Sequence, residues 1–531
     1  MIEKVINGNN MRKACRKVMS NKGSAGIDGM STHELSAYLG INREQLAIAI
    51  EGMSATDGTS VRELAAAFET KREQIVSAML TGSYQPQAIL GAEIPKDNGK
   101  IRLLGIPTVT DRMLQQAVHQ VIYPKFEIGF TTHSYGFRPK RNAQQAVQQA
   151  QTYINEGYQH IVDIDLKNFF DEVDHCMLMQ LLYNKVKCPI TLRLARKWLR
   201  APILIKGKLT KRRKGVPQGS PLSPLLSNIM LHELDKELEK QGLRYVRYAD
   251  DFSIYTKNRQ AARKAGNNIY LFLKNKLKLP INREKSGIRK PVNFEILGYK
   301  FVPTYIKGDK GKYQLVASDK SWKRLKQNLK SITRKTAPKS FDERIRQLNE
   351  VQRGWVNYFR IASIHGKLKE LDGWVRNRLR YCIWHDWKKP ERKRKNFIRL
   401  GIDHDHAYAW SRIRMGGWAV AQSPILGTTI TLDRLGKRGY EAMLTLYERI
   451  APHLNEPSRL SRDGVRGAPR QLRLAGPSTR LATVVTFPSV YFLTFPLIQV
   501  VHLSPNKLCH KHLQLKNMSN ELQYLSKFYN L

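Results

Sequence analysis

Residues 244–256, RYVRYADDFSIYT, set two adjacent carboxylates, Asp250 and Asp251, between two stretches that alternate apolar and polar residues. A period of two predicts two short strands, joined at the acid pair. Neighbouring carboxylates repel, so enclosing them between apolar strands is unfavourable unless cations sit beside them. An ordinary acidic turn is the competing reading, since Asp is a common turn residue. A second acidic point lies upstream in HIVDIDLKNFFDE, where Asp165 ends an apolar strand at the start of a helix and Asp163 precedes it by two on the same face. Nucleotidyl transfer uses two divalent ions about 4 Å apart, and carboxylates are suitable hard ligands for Mg²⁺. The two acidic points together supply three such ligands.

Charge narrows the class. Ninety Lys and Arg stand against 44 Asp and Glu, a formal net charge of +46, while 41% apolar residues indicate a folded chain. Repulsion on that scale calls for a polyanionic partner, and a nucleic acid is the natural one. The 531 residues suggest roughly three domains. Cys15, Cys176, Cys188, Cys382 and Cys509 are scattered without a C-x-x-C pair, so neither a disulfide framework nor a cysteine zinc site is expected. That fits a reducing cytoplasm. The N-terminus lacks an apolar signal core.

Along the chain, residues 1–80 read as mostly helical and contain a duplication: 28–50 repeats at 57–79, with ten of 23 positions identical. EIPKDNGKIRLLGIP predicts a hairpin turning at Asp97-Asn98-Gly99, followed by a helix from Asp111. GVPQGSPLSP is a Gly- and Pro-rich loop before another helix. Residues 304–320 read as a polar linker, and 321–452 as a basic, Trp-rich helical domain. The remainder, 453–531, is an Arg-, Pro- and Gly-rich arm followed by an uncharged stretch, 481–506. It is expected to be disordered or a buried appendix. That stretch has the length of a membrane span, but its two prolines argue against one.

IDLKNFF, GVPQGSPLSPLLSN, YADD, PINREKSG and ILGYKF occur in one order, and together they resemble the palm of group II intron-encoded reverse transcriptases, the maturase branch of that family. NKGSAGIDG, IPKDNGKIRLLGIPTVTDRMLQQAV and HSYGFRPKRNAQQAV resemble its fingers, and GWVNYFRI its thumb. The resemblance covers about residues 1–450. It implies an α+β right-hand polymerase fold: fingers with an N-terminal extension over 1–160, a palm with an antiparallel sheet over 161–303, and an α-helical thumb or maturase domain over 321–452. It implies an RNA-directed DNA polymerase that also binds its intron RNA to assist splicing and mobility. The expected partners are group II intron RNA, an RNA template with a DNA or RNA primer, dNTPs and target DNA.

Residue by residue, the resemblance makes Asp165, Asp250 and Asp251 the catalytic ligands of two Mg²⁺ ions, with Mn²⁺ as a substitute. Lys96 and Arg102 match the clamp on the incoming triphosphate. Phe169 and Phe170 are the candidates for a ring that clashes with a ribose 2′-hydroxyl, Phe170 being preferred and Phe169 its core-packing neighbour. Gln218 matches the residue packed on the template–dNTP pair, and Gly219 permits close backbone approach. Lys285 is read either as general acid for pyrophosphate or as a phosphate contact. Leu297-Gly298-Tyr299 match the primer grip. Arg353, Tyr358, Arg360, Arg376, Arg378 and Arg380 are expected to face RNA, and Trp355 and Trp374 to pack in the core.

Cys509-His510-Lys511-His512 lacks a second ligand cluster, so the HNH endonuclease found in many such proteins is expected to be absent. Two alternatives remain open on sequence alone. One is a domesticated polymerase in defence or CRISPR adaptation; the other is an RNA-folding maturase without catalysis.

Overall fold

The computed structural model describes residues 1–32, 34–35, 73–95, 99, 101–305 and 311–451. The centre of the duplicated block, Lys96, the 481–506 stretch and Cys509 lie outside the described residues. The chain divides into two compact units: one built on 1–146 and 162–288, the other on 147–161 and the described residues from 289 onward.

The first unit has one continuous apolar core, running in sequence from Ile2 to Leu279. Two helices in it, Val109–Glu127 and Ser223–Lys240, bury residues on most of their faces, polar Gln115 and Asn228 among them. Thr108 caps the first, accepting a hydrogen bond from the Asp111 amide. Asp111 is itself buried and accepts hydrogen bonds from Tyr84 (3.0 Å), Trp198 (2.8 Å), Thr108 (3.0 Å) and the Gln87 amide (3.2 Å).

Around this core the strands follow the alternation of the sequence. Strand β1 (Ile89–Pro95) pairs antiparallel with β2 (Ile101–Ile106), in register from Leu90↔Ile106 to Pro95↔Ile101. Strand β3 (His160–Ile164) runs into a left-handed Asn168 and the short helix Phe169–Glu172. The hairpin β4 (Ile203–Ile205) and β5 (Lys208–Thr210) extends the first sheet to the order β2-β1-β4-β5. Its β1–β4 pairing is parallel, while β1–β2 and β4–β5 are antiparallel. A second sheet has the order β6-β7-β3-β8, with β6 (Arg244–Tyr248), β7 (Asp251–Thr256) and β8 (Gly287–Arg289). The acid pair thus lies at the β6–β7 turn, and β7 is the neighbour of β3.

The second unit joins a three-stranded meander, β9 (Glu295–Ile296), β10 (Tyr299–Pro303) and β11 (Tyr313–Ala317), to a set of helices. The longest are Asp319–Ile332, Phe341–Phe359 and His365–Asp386. Two expectations are corrected here. Strand β11 lies within the supposed 304–320 linker, where it pairs with the whole of β10. The division between units falls after Ile288 rather than at 303, because the meander packs on the helices: Tyr299 lies 4.9 Å from Phe359, ring to ring. The buried Arg344 donates to the Ile332, Arg334 and Ala337 carbonyls at 3.1, 2.6 and 2.7 Å. It thereby caps the C-terminal end of the preceding helix. Among the described residues, no helix is long and apolar enough to cross a membrane.

Candidate active site

The β6–β7 hairpin pairs Tyr248 with Asp251, so Ala249 and Asp250 form a two-residue turn. Ala249 adopts φ +58, the left-handed region that such turns reserve for glycine or asparagine. Three neighbours hold it there. Arg247, fully buried, donates to the Ala249 carbonyl and to Asn228 Oδ1, both at 3.0 Å. Its other nitrogens form a fork onto Asp235, at 2.7 and 2.5 Å, in an ion pair wholly out of water. Asn228 passes the constraint on by donating to the Gly136 carbonyl at 2.9 Å. Gly136 is so close to the turn that a Cβ there would sit 2.2 Å from the Ala249 amide. The His133–Tyr135 backbone also bonds the edge of β6, through Arg247 N to His133 O (3.0 Å) and Tyr135 N to Arg247 O (2.8 Å).

Asp165 is positioned from the other side. Its amide donates to Ser286 Oγ at 3.0 Å, its carboxylate accepts from Asn282 Nδ2 at 2.9 Å, and its carbonyl accepts from the Asn282 amide at 2.8 Å. Lys285 Nζ lies 3.7 Å from Asp165 Oδ2. PINREKSG is therefore the segment that orients Asp165. Arg247, Asp235, Asn228, Gly136, Asn282 and Ser286 were not assigned from sequence. Asn228, Gly136, Asn282 and Ser286 lie in motifs the resemblance uses, whereas Arg247 and Asp235 are paired only by the fold.

The carboxylates feel one another. Crowding by protein, then Asp250, Asp165 and Asp163, raises the Asp251 carboxyl to about 7 against the pull of Lys285, although its side chain keeps an exposed face. Asp250 is likewise pushed up, chiefly by burial and also by Asp165, while Arg102 and Arg247 oppose the rise. Among the described residues no three His, Cys, Asp or Glu side chains converge as a ready-made ion cage. The donor set is nevertheless suited to hard divalent cations: oxygen ligands on adjacent strands, with mutual repulsion that a cation relieves.

Arg102 lies half-buried on β2, opposite Ile94. Gln218 and Gly219 sit against the same strand: the Gly105 amide donates to the Gln218 carbonyl at 2.7 Å, and a Cβ on Gly219 (φ +112) would meet the Gly105 carbonyl at 2.7 Å. Phe169 is 2% exposed within the core; Phe170 is less buried and meets its ring at 5.3 Å. The Phe170 carbonyl accepts from Val216 N at 2.6 Å, joining this helix to the glycine-rich loop.

In the second unit, Leu297 (φ +51) and Gly298 (φ +78) form the β9–β10 turn. Tyr358 donates to the Leu297 carbonyl at 2.9 Å, and Tyr299 donates to the Tyr358 carbonyl. Trp355 is buried and Trp374 only partly so. Arg353 and Arg360 are exposed, the former bonded to Glu441 at 3.2 Å, and Arg376 is half-buried. Arg378 donates to Thr333 Oγ1 and to the Lys330 and Thr333 carbonyls; Arg380 donates to Ile430, Gly427 and Asn377. Those two guanidinium groups brace the helices, a use the sequence pattern of alternating arginines does not distinguish from RNA contact.

Comparisons with known proteins agree on both units. The family described as reverse transcriptase (RNA-dependent DNA polymerase) matches residues 94–301. The group II intron, maturase-specific domain matches residues 322–401. Protein YkfC of Escherichia coli (strain K12) is 31% identical over 318 residues, covering 52% of this chain and 76% of YkfC. The group II intron-encoded protein LtrA of Lactococcus lactis subsp. cremoris is 31% identical over 292 residues, 42% of this chain and 48% of LtrA. The chain thus spans about half of the latter. Among solved structures, a chain of a partial Cas6-RT-Cas1–Cas2 complex matches 46% of this chain and 42% of its own length, at 26% identity and a TM-score of 0.26.

Proposed function

Because this chain belongs to the group II intron family of reverse transcriptases, with a polymerase fold followed by a maturase-specific helical domain, we propose that Asp165, Asp250 and Asp251 support RNA-templated DNA synthesis. The observation that carries this reading is the coupling of the three carboxylates across β3 and the β6–β7 turn, with the Arg102 charge bearing on Asp250.

Two Mg²⁺ ions, or Mn²⁺ in their place, supply activation of the primer hydroxyl and charge neutralisation on the triphosphate when bound. Asp165, Asp250 and Asp251 hold them. Lys96 and Arg102 bind the triphosphate of the incoming dNTP, where fixed positive charge suits the negative charge that develops. Gln218 and Gly219 form the wall beneath the templating pair. Phe170, less buried than Phe169, is the ring proposed to exclude a 2′-hydroxyl. Lys285, beside Asp165, serves as a proton donor to pyrophosphate or as a phosphate contact. Leu297, Gly298 and Tyr299 hold the primer end.

The maturase-specific domain binds the group II intron RNA and positions it for splicing and for attack on target DNA. Arg353, Arg360 and Arg376, with Tyr358, form its RNA-facing set, and Arg378 and Arg380 reinforce the domain from within. Asp250→Ala should abolish dNTP incorporation on poly(rA)/oligo(dT) while leaving RNA affinity within about twofold. Full incorporation by that variant would overturn the assignment.

A further inference from the structure

The second unit contains a cavity of about 350 Å³ lined by Lys335, Tyr381, Trp384, His385, Lys388 and Lys393, closed on one side by Gly417. Its chemistry is cationic and aromatic. Lys393 Nζ stands 3.9 Å above the Trp384 ring, and Lys335 Nζ 5.0 Å above Tyr381. Among the described residues none of the three lysines forms an ion pair with a carboxylate, and Glu391 is taken by Arg394 and Arg412. Asp386, 3.6 Å from His385 Nδ1 and beyond hydrogen-bond reach, is the neighbouring acid. That His385 nitrogen is buried without a hydrogen-bond partner. Burial also depresses the Lys393 ammonium, so its charge is held where water serves it poorly. Gly417 sits tight against the wall: a Cβ there would meet Tyr381 at 3.0 Å and Trp384 at 3.2 Å.

Three unpaired ammonium groups favour a phosphate. Aromatic edges favour a planar ring. The volume is at the small end of ligand sites and far too small for a duplex. We propose that this cavity takes one unstacked nucleotide of the bound RNA, its phosphate on Lys335, Lys388 and Lys393 and its base against Tyr381 and His385. The proposal rests on the reading of this domain as RNA-binding. Recognition of splayed-out bases by aromatic and cationic side chains is the usual route to selectivity for RNA.

The test uses the full chain and two RNA hairpins, one fully paired and one carrying a single-nucleotide bulge. Wild type should prefer the bulged hairpin by about tenfold, the value of one stacked base. In a Lys335→Gln/Lys388→Gln/Lys393→Gln variant that preference should vanish, with the paired hairpin bound only a few-fold more weakly. Equal binding of both hairpins by wild type, or an undiminished preference in the variant, overturns the cavity assignment and leaves the RNA-binding reading standing. Failure to bind either hairpin overturns both. Adenosine 5′-monophosphate bound more tightly than the bulged hairpin would reassign the cavity to a free nucleotide.

Discussion

An added methyl at Gly136 would lie 2.2 Å from the Ala249 amide and 3.0 Å from the Tyr248 carbonyl carbon. Neither atom is a flexible tip, so the turn carrying Asp250 must shift. Gly136→Ala should therefore lower dNTP incorporation by about 100-fold, the usual penalty for displacing catalytic groups by around 1 Å. Affinity for intron RNA should be unchanged, since the arginines proposed to face that RNA lie in the other unit. Wild-type turnover in that variant would show that the turn tolerates the shift. At this scale the acids themselves were legible: Asp165, Asp250 and Asp251 stand at breaks in apolar strands. The Arg247–Asp235 pair beneath them was not. A fully buried ion pair is meaningful only when both partners are known to be out of water, and an Arg in a strand and an Asp among the charged residues of the helix Ser223–Lys240 look like surface charges.

Helices carry a pH response separate from the acids. His119, on the helix Val109–Glu127, stacks on Tyr123 at 5.2 Å, and His232, on Ser223–Lys240, meets the edge of Phe130 at 5.4 Å. Burial lowers both imidazoles to about 4. The unfolded chain binds these protons near pH 6.5 while the folded chain does not, so stability rises with pH between about 4 and 6.5 and is flat above. Each unit of depression is worth about 1.4 kcal/mol. The urea midpoint should fall from pH 7.5 to pH 5, and His119→Gln/His232→Gln should flatten the slope. An unaltered slope in the double variant would assign the response to other groups. The helices and the two polymerase hairpins were legible because their periodicity is strong. Strand β11 was not. Its flanks, rich in Lys, Gly and Asp, read as a connector, and it becomes a strand by pairing with β10 and accepting the Ser363 amide at its Leu315 carbonyl, 2.8 Å. Both partners are supplied by the tertiary fold.

For the molecule as a whole, a net charge of +46 makes association with RNA an exchange of counterions. Affinity for intron-type RNA should drop about a thousandfold or more between 50 and 200 mM monovalent salt. A shallow dependence would mean that much of the positive charge stays away from phosphate. Charge identified the partner class from sequence but not the division of labour. Arg378 and Arg380 contribute to the same total while their guanidinium groups hold carbonyls of neighbouring helices.

The bond from the Gly105 amide to the Gln218 carbonyl has a mechanical meaning. It makes the strand bearing Arg102 and the loop bearing Gln218 one part rather than two. A nucleotide bound there, as proposed, would meet a seat whose halves were aligned when the protein folded, so the alignment would not be repeated at each addition. On the proposed reading, little ordering entropy would be lost per step.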